Sequence, residues 1–284
     1  MIRCEYHRPA SLAATLELKS VIAGARVIAG GTDLMVRLRS REVAPPALIS
    51  LRSVPELAGV REEEGLRIGA ATTFTDLIAD PDVARDYPVL AEAASRVGSR
   101  QIRNAGTIGG NIANASPCAD SALPLLVHEA RALLASGRQR REVPLRDLFV
   151  GPGATAMEAD EILTHLILPP PDPGCAAVFL KQGRVKMDLS IASVAVLLVL
   201  DGDVCRKARI AAGSVGPTPL RLTEAEGVLE GEVVDGDRVK RAVAAAMGRG
   251  APISDVRATA DYRRHLIGVF VRRAIDRLLG REAA

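Results

Sequence analysis

The chain is predicted to be an α+β protein, and three observations carry that expectation. Strand-like and helix-like segments are mixed but cluster, with no regular strand–helix alternation. A proline run, Pro169-Pro170-Pro171-Asp172-Pro173-Gly174, divides the 284 residues into two unequal parts. Three strand-like segments follow that run, and three helical ones then close the chain.

The elements follow in order. Residues 9–24 have helical spacing, with Leu12, Leu16 and Val21 on one side, Pro9 near the start and Gly24 after the end. Val27-Ile28-Ala29 is a short apolar strand running into Gly30-Gly31, and residues 47–51 (ALISL) form another. These make a small α/β unit over residues 1–55. Residues 66–70 alternate as a strand should, and a short helix capped by Thr73 or Thr75 begins near Thr75. A helix spans 87–97 and stops at Gly98. A glycine-rich stretch follows, then a helix at 121–128 and a strand at 132–135. Segments 144–149 and 161–168 complete a second unit, 56–170. Three consecutive prolines cannot continue a helix or a central strand, so a boundary falls there. Residues 177–182, 191–200 and 208–215 read as strands, and 221–230, 236–247 and 258–279 as helices, giving a third unit at 175–284.

Composition narrows the function. Hydrophobic residues make up 48% and charged residues 25%, as in an ordinary soluble globular protein. A net charge of only +3 gives no reason to expect nucleic acid or an anionic membrane as partner. Aromatics are 2% and Trp is absent, so the core must be Ala, Val, Leu and Ile, and stacking platforms for single strands are excluded. The first residues, MIRCEYHRPAS, carry charge and a proline where a signal peptide needs an apolar core. The longest apolar run, 191–200, is half the roughly 20 residues a membrane helix needs. The cytoplasm is the expected location, with no membrane span. Cys4, Cys118, Cys175 and Cys205 are far apart, which argues against disulfides, a zinc site or an iron–sulfur cluster held by this chain. His7, His128, His165 and His265 are isolated and read as structural. No metal ligands and no nucleophile–base pair are visible.

Two glycine-rich segments stand out. The first is Ala29-Gly30-Gly31-Thr32-Asp33-Leu34. The second runs from Arg103 through Thr107-Ile108-Gly109-Gly110-Asn111 and Ala113 to Asp120. Glycine lets backbone N–H groups approach a ligand and form an anion-binding nest. Neither segment has the spacing of a dinucleotide fingerprint or a P-loop. The residues alone point to a pyrophosphate-like anion held by backbone amides.

AGGTDLMVRLR together with QIRNAGTIGGNIANASPCAD resembles the flavin subunits of the xanthine dehydrogenase and carbon monoxide dehydrogenase family of molybdenum hydroxylases. EYHRPASLAATLEL and VFLKQGRVKMDLSIASVAVLL are similar to that family's N-terminus and to the start of its C-terminal domain. The resemblance implies a two-subdomain FAD-binding domain of PCMH type, then a C-terminal domain with an antiparallel sheet and helices. It implies that Ala29, Gly30, Gly31, Thr32, Asp33 and Leu34 wrap the FAD diphosphate. Thr107, Gly109, Gly110 and Asn111, with Ala113 following, would hold it from the other side. Asp120 would bind ribityl or ribose hydroxyls. Val97 takes a position where some relatives place an aromatic near the ring, Leu163 one where they contact the flavin, and Lys181 would lie by the isoalloxazine. No catalytic residue is assigned, because the chemistry would be electron relay: from [2Fe-2S] clusters of a small subunit, fed by a molybdopterin-binding large subunit, through FAD to a terminal acceptor. The whole would be a dimer of heterotrimers. This chain lacks the cysteine-rich insertion of one branch and the acidic run after Gly183 found in relatives that use NAD. A stand-alone flavin oxidase or reductase, and a scaffold without cofactor, are the alternatives.

Overall fold

Ala47–Ser50 is buried at every position, which is the signature of a strand flanked and covered on all sides. The computed structural model, which describes residues 4–281, makes it the centre of a small parallel sheet. In chain order the first unit is β1 (Glu5–His7), α1 (Leu12–Val21), β2 (Arg26–Ile28), α2 (Leu34–Arg39) and β3 (Ala47–Ser50), with sheet order β1-β3-β2. Both outer strands run parallel to β3. The Ser11 hydroxyl starts α1 by accepting from the Ala14 N–H. The expected helix is thus present, shorter at both ends.

The second unit is β4 (Val60–Glu62), β5 (Leu66–Gly69), α3 (Phe74–Ala79), α4 (Pro81–Asp86), α5 (Pro88–Ser95), α6 (Arg100–Ala105), α7 (Ile108–Ala113), α8 (Ala122–Val127), β6 (Arg131–Ala135), β7 (Arg140–Pro144), α9 (Leu145–Leu148), β8 (Phe149–Gly151), β9 (Ala154–Thr155) and β10 (Ile162–Leu168). Its main sheet is antiparallel, in the order β4-β5-β10-β6-β7. Ile68, Leu77, Leu90, Ile108, Ile112, Leu123 and Leu134 are fully buried in one core. Each such side chain contributes roughly 1.5–3 kcal/mol of burial free energy. Thr73 caps α3 by accepting from the Asp76 N–H, which decides between the two threonines expected there. The second glycine-rich segment is not an open loop. It is the joint between α6 and α7, which begin at the caps Ser99 and Thr107.

The third unit is β11 (Cys175–Gln182), β12 (Ala192–Asp201), β13 (Val204–Gly213), β14 (Leu220–Arg221), α10 (Thr223–Leu229), α11 (Gly236–Arg249) and α12 (Ala260–Leu278). Its sheet is antiparallel in chain order. β13 begins four residues earlier than the expected 208–215. Asp201 pairs with Val204, so only Gly202-Asp203 turn the hairpin, and Gly202 takes φ +57°. Along β12, Val194, Val196 and Leu198 face the helices. Ala195 and Leu197 face the second unit and share its core, as does Phe179. Two faces of one strand therefore serve two cores. Arg263, 1% exposed, ties α12 to this sheet by donating to the carbonyls of Ile191 and Ser214 and to Asp255. All four cysteines are free. Among the described residues no helix is long and apolar enough to cross a membrane, and no cluster of metal-ligating side chains occurs.

His128 is buried against the edge of the Tyr87 ring, centroids 5.0 Å apart. Burial drives its imidazole down to about 4, against a weak opposing pull from Asp172. The fold therefore favours neutral His128. That contribution is complete above pH 6.5 and lost as pH falls from 6.5 toward 4, with a ceiling on the order of 3 kcal/mol. Urea midpoints at pH 7.5 and pH 5 should fall accordingly, and His128→Gln should flatten the difference.

Candidate cofactor site

A cleft of ≈ 550 Å³ opens between the first sheet and the second unit. That volume lies within the roughly 300–1,000 Å³ range of ligand sites. Three walls form it, and each follows from local sequence.

The first wall is the turn after β2. Gly31 has φ +71°, a conformation that strains any residue with a Cβ, and its carbonyl accepts from Met35 N–H to begin α2. Among the described residues, no acceptor is assigned to the N–H groups of Gly30, Gly31, Thr32, Asp33 or Leu34. Five successive amides are thus free on a wall of the cleft. Asp33 stands at the start of α2 but makes no side-chain cap.

The second wall is the α6–α7 joint, and its amides are mostly spent. Ile108 N–H donates to Thr72 O, Gly109 N–H to Ala70 O, Gly110 N–H to Thr107 Oγ1 and Asn111 N–H to Thr107 O. This corrects the expectation that both glycine segments offer bare amides. The glycines act here through size. A Cβ on Gly109 would come 2.6 Å from Ala70 Cα. Gly110 is exposed, and a Cβ there would meet only Thr107 Oγ1, at 2.9 Å. The two glycine segments also touch. A Cβ on Gly30 would lie 2.6 Å from the Ala105 carbonyl carbon and 2.8 Å from Gly106 Cα.

The third wall is β10 and the turn before it. Leu163 lines the cleft beside a register shift in the β10–β6 pairing, where Thr164 O turns to accept from Ala70 N–H. Met157, Glu158, Ala159 and Glu161 continue this wall. Glu161 has a fully buried side chain. It takes a bidentate pair from Arg141 (2.6 and 2.7 Å) and a bond from Glu158 N–H. The Arg141 pair holds its carboxyl below the usual carboxylate range.

Of the residues expected at the cofactor, Ala29, Gly30, Gly31, Thr32, Asp33, Leu34, Val97, Thr107, Gly109, Gly110, Asn111, Ala113 and Leu163 all line this cleft. Asp120 and Lys181 do not. They form a buried pair outside it, Lys181 Nζ to Asp120 Oδ2 at 2.6 Å, with Nζ also donating to the carbonyl of Arg96, next to Val97. Burial pushes the Asp120 carboxyl up to about 6 despite the Lys181 ammonium. Its Oδ1 is buried with no partner among the described residues. Sequence reasoning missed Lys19, Phe74, Met157, Glu158, Ala159 and Glu161. No local pattern marks them, because only the tertiary fold brings them to the cleft. Cys118, which lies in the second glycine segment, contacts Arg257 instead of the cleft.

The donor set fits FAD. Free amides suit a diphosphate, and the exposed Gly110 near the start of α7 leaves room beside it.

Comparison with known proteins agrees. Residues 2–171 match the model of the FAD binding domain in molybdopterin dehydrogenase, and 177–278 that of the CO dehydrogenase flavoprotein C-terminal domain. The chain is 37% identical to the carbon monoxide dehydrogenase medium chain of Afipia carboxidovorans, covering 98% of this chain and 97% of that one. It is 35% identical to the xanthine dehydrogenase FAD-binding subunit of Escherichia coli O157:H7, covering 95% and 94%. It superposes on a carbon monoxide dehydrogenase structure from Hydrogenophaga pseudoflava with a TM-score of 0.95 at 35% identity, covering 99% of each chain. Against quinoline 2-oxidoreductase from Pseudomonas putida 86 the TM-score is 0.92 at 31% identity, covering 98% and 97%. The chain belongs to the FAD-binding subunits of the xanthine dehydrogenase and carbon monoxide dehydrogenase family.

Proposed function

We propose that this chain holds one FAD in the cleft and serves as the electron-relaying flavoprotein subunit of a molybdenum hydroxylase. The observation that carries the reading is the run of five unpartnered amides from Gly30 to Leu34, on the same cleft as Gly109 and Gly110 of α7. When bound, FAD supplies the redox group. Everything else is binding and electrostatics by this chain.

The Gly30–Leu34 amides hold the diphosphate, and Gly110 keeps its space clear. Thr107 keeps α7 in place through its cap to Gly110 N–H. Val97 and Leu163 supply apolar wall and exclude water. Asp120, outside the lining of the cleft, serves as the buried counter-ion of Lys181. Lys181 spends its ammonium on Asp120 and on the Arg96 carbonyl, the residue before Val97, and so steadies the chain that leads to the Val97 wall. The partners are a molybdopterin-binding large subunit and a [2Fe-2S] small subunit, assembled as a dimer of heterotrimers in the cytoplasm. The chain is organised as two cofactor-clasping parts, 1–55 and 56–170, and a C-terminal part, 175–284.

Purified protein should be yellow and release FAD on denaturation. Colourless protein that takes up no FAD, alone or with its partner subunits, would reject the reading. Gly110→Val should weaken FAD binding by about 100-fold, near 2.7 kcal/mol. The new side chain fills the diphosphate space and displaces the Thr107 cap. Normal affinity in that variant would show that the diphosphate does not pass α7.

A further inference from the structure

The two walls of the cleft are bridged by a single lysine. Lys19 lies in the last turn of α1 and lines the cleft. Its Nζ donates to two carbonyls on opposite sides: Ala25 O at 2.9 Å, just before β2, and Ala159 O at 2.6 Å, in the turn before β10. Among the described residues, no other hydrogen bond joins the first unit to residues 154–163. Elsewhere on the cleft, the backbone of Gly30 comes close to that of Ala105 and Gly106. The cleft is thus held at two places, one by a glycine contact and one by an ammonium.

The far anchor is itself rigid. Ala159 lies between Glu158 and Glu161. The Glu161 carboxylate accepts from Glu158 N–H at 2.8 Å and is clamped by Arg141, which also donates to Ala156 O. A hydrogen bond to a charged donor is stronger than one between neutral groups, and here it joins walls otherwise held by apolar packing around Leu16, Leu57 and Ile162.

We propose that Lys19 is a positioning residue of the cofactor cleft, a latch whose bridge from Ala25 O to Ala159 O sets the separation at which the two walls grip FAD. The proposal rests on the FAD reading for its consequence, but the latch itself can be read without cofactor.

Lys19→Met and Lys19→Arg in the full chain test it. In the cofactor-free chain, hydrogen–deuterium exchange of the peptide covering 154–163 should rise at least about fivefold in Lys19→Met and return toward wild type in Lys19→Arg, with the α12 peptide unchanged. FAD release, measured on protein purified with any attached subunits, should quicken about tenfold in Lys19→Met and be rescued in Lys19→Arg. Unchanged exchange at 154–163 in Lys19→Met overturns the latch, whatever the cofactor does. Raised exchange with unchanged FAD release also overturns it as a positioning residue, since the wall would then be loosened without effect on grip. Raised exchange in a chain that never takes up FAD leaves the bridge standing and instead defeats the FAD reading.

Discussion

Gly30→Ala is expected to cost FAD binding more than about 100-fold, because one methyl group forces the two glycine segments apart. The added Cβ meets the backbone of Ala105 and Gly106, and neither can rotate away as a flexible side chain would. Overpacking of this kind costs roughly 1–3 kcal/mol even where the structure can adjust. Here the adjustment displaces the run of free amides from the start of α7. FAD titration by fluorescence, beside a thermal melt of the cofactor-free chain, separates loss of grip from loss of fold. Affinity within threefold of wild type would mean that the approach of the two segments is incidental to binding.

Lys181→Met should be the most destabilising of the single changes considered. It leaves Asp120 buried without its cation, and breaking a buried pair from one side costs about 3–5 kcal/mol. The sign with pH follows from burial. Lys181 is what lowers the Asp120 carboxyl, which burial already lifts to about 6. Without it the folded value rises further above the unfolded value near 3.9. A carboxyl raised in the fold favours the protonated form, so the variant holds its stability in acid and loses it as pH rises through the new value. Urea unfolding of Lys181→Met should show a larger deficit at pH 8 than at pH 5. Adding Asp120→Asn should recover most of it at pH 8. An equal deficit at both pH values would mean that Asp120 is solvated when unpaired.

The order of the main strands and helices was legible because periodic patterns survive in α1, β5 and α12 and because β12 is a continuous apolar run. The Thr73 cap was legible as one of two threonines for the same local reason, while the Ser11 cap was not read. The α6–α7 joint was misread because glycine weakens helix propensity, while the caps Ser99 and Thr107, together with the carbonyls of Ala70 and Thr72 that accept from the first α7 amides, outweigh it. Strand β13 was started four residues late because Val204–Lys207 mixes polar and apolar residues, and its pairing is with β12, not with its own pattern.

At the site, the glycines and their neighbours were readable one by one, since a missing side chain is a property of a single position. What each glycine does was not. Whether an amide is free or spent depends on which carbonyl the fold brings to it. The Gly30–Leu34 run is left open, while the α7 amides are consumed by Ala70, Thr72 and Thr107. Lys181 was legible as a cation downstream of the second segment. Its pairing with Asp120, 61 positions away, depends on β11 packing against the second unit. Lys19 and Ala159, 140 positions apart, carry no local mark at all. Local chemistry therefore sufficed to name the ligand class and the longer elements. The satisfaction of each polar group was decided by tertiary packing, because a hydrogen bond joins groups near in space whatever their separation along the chain.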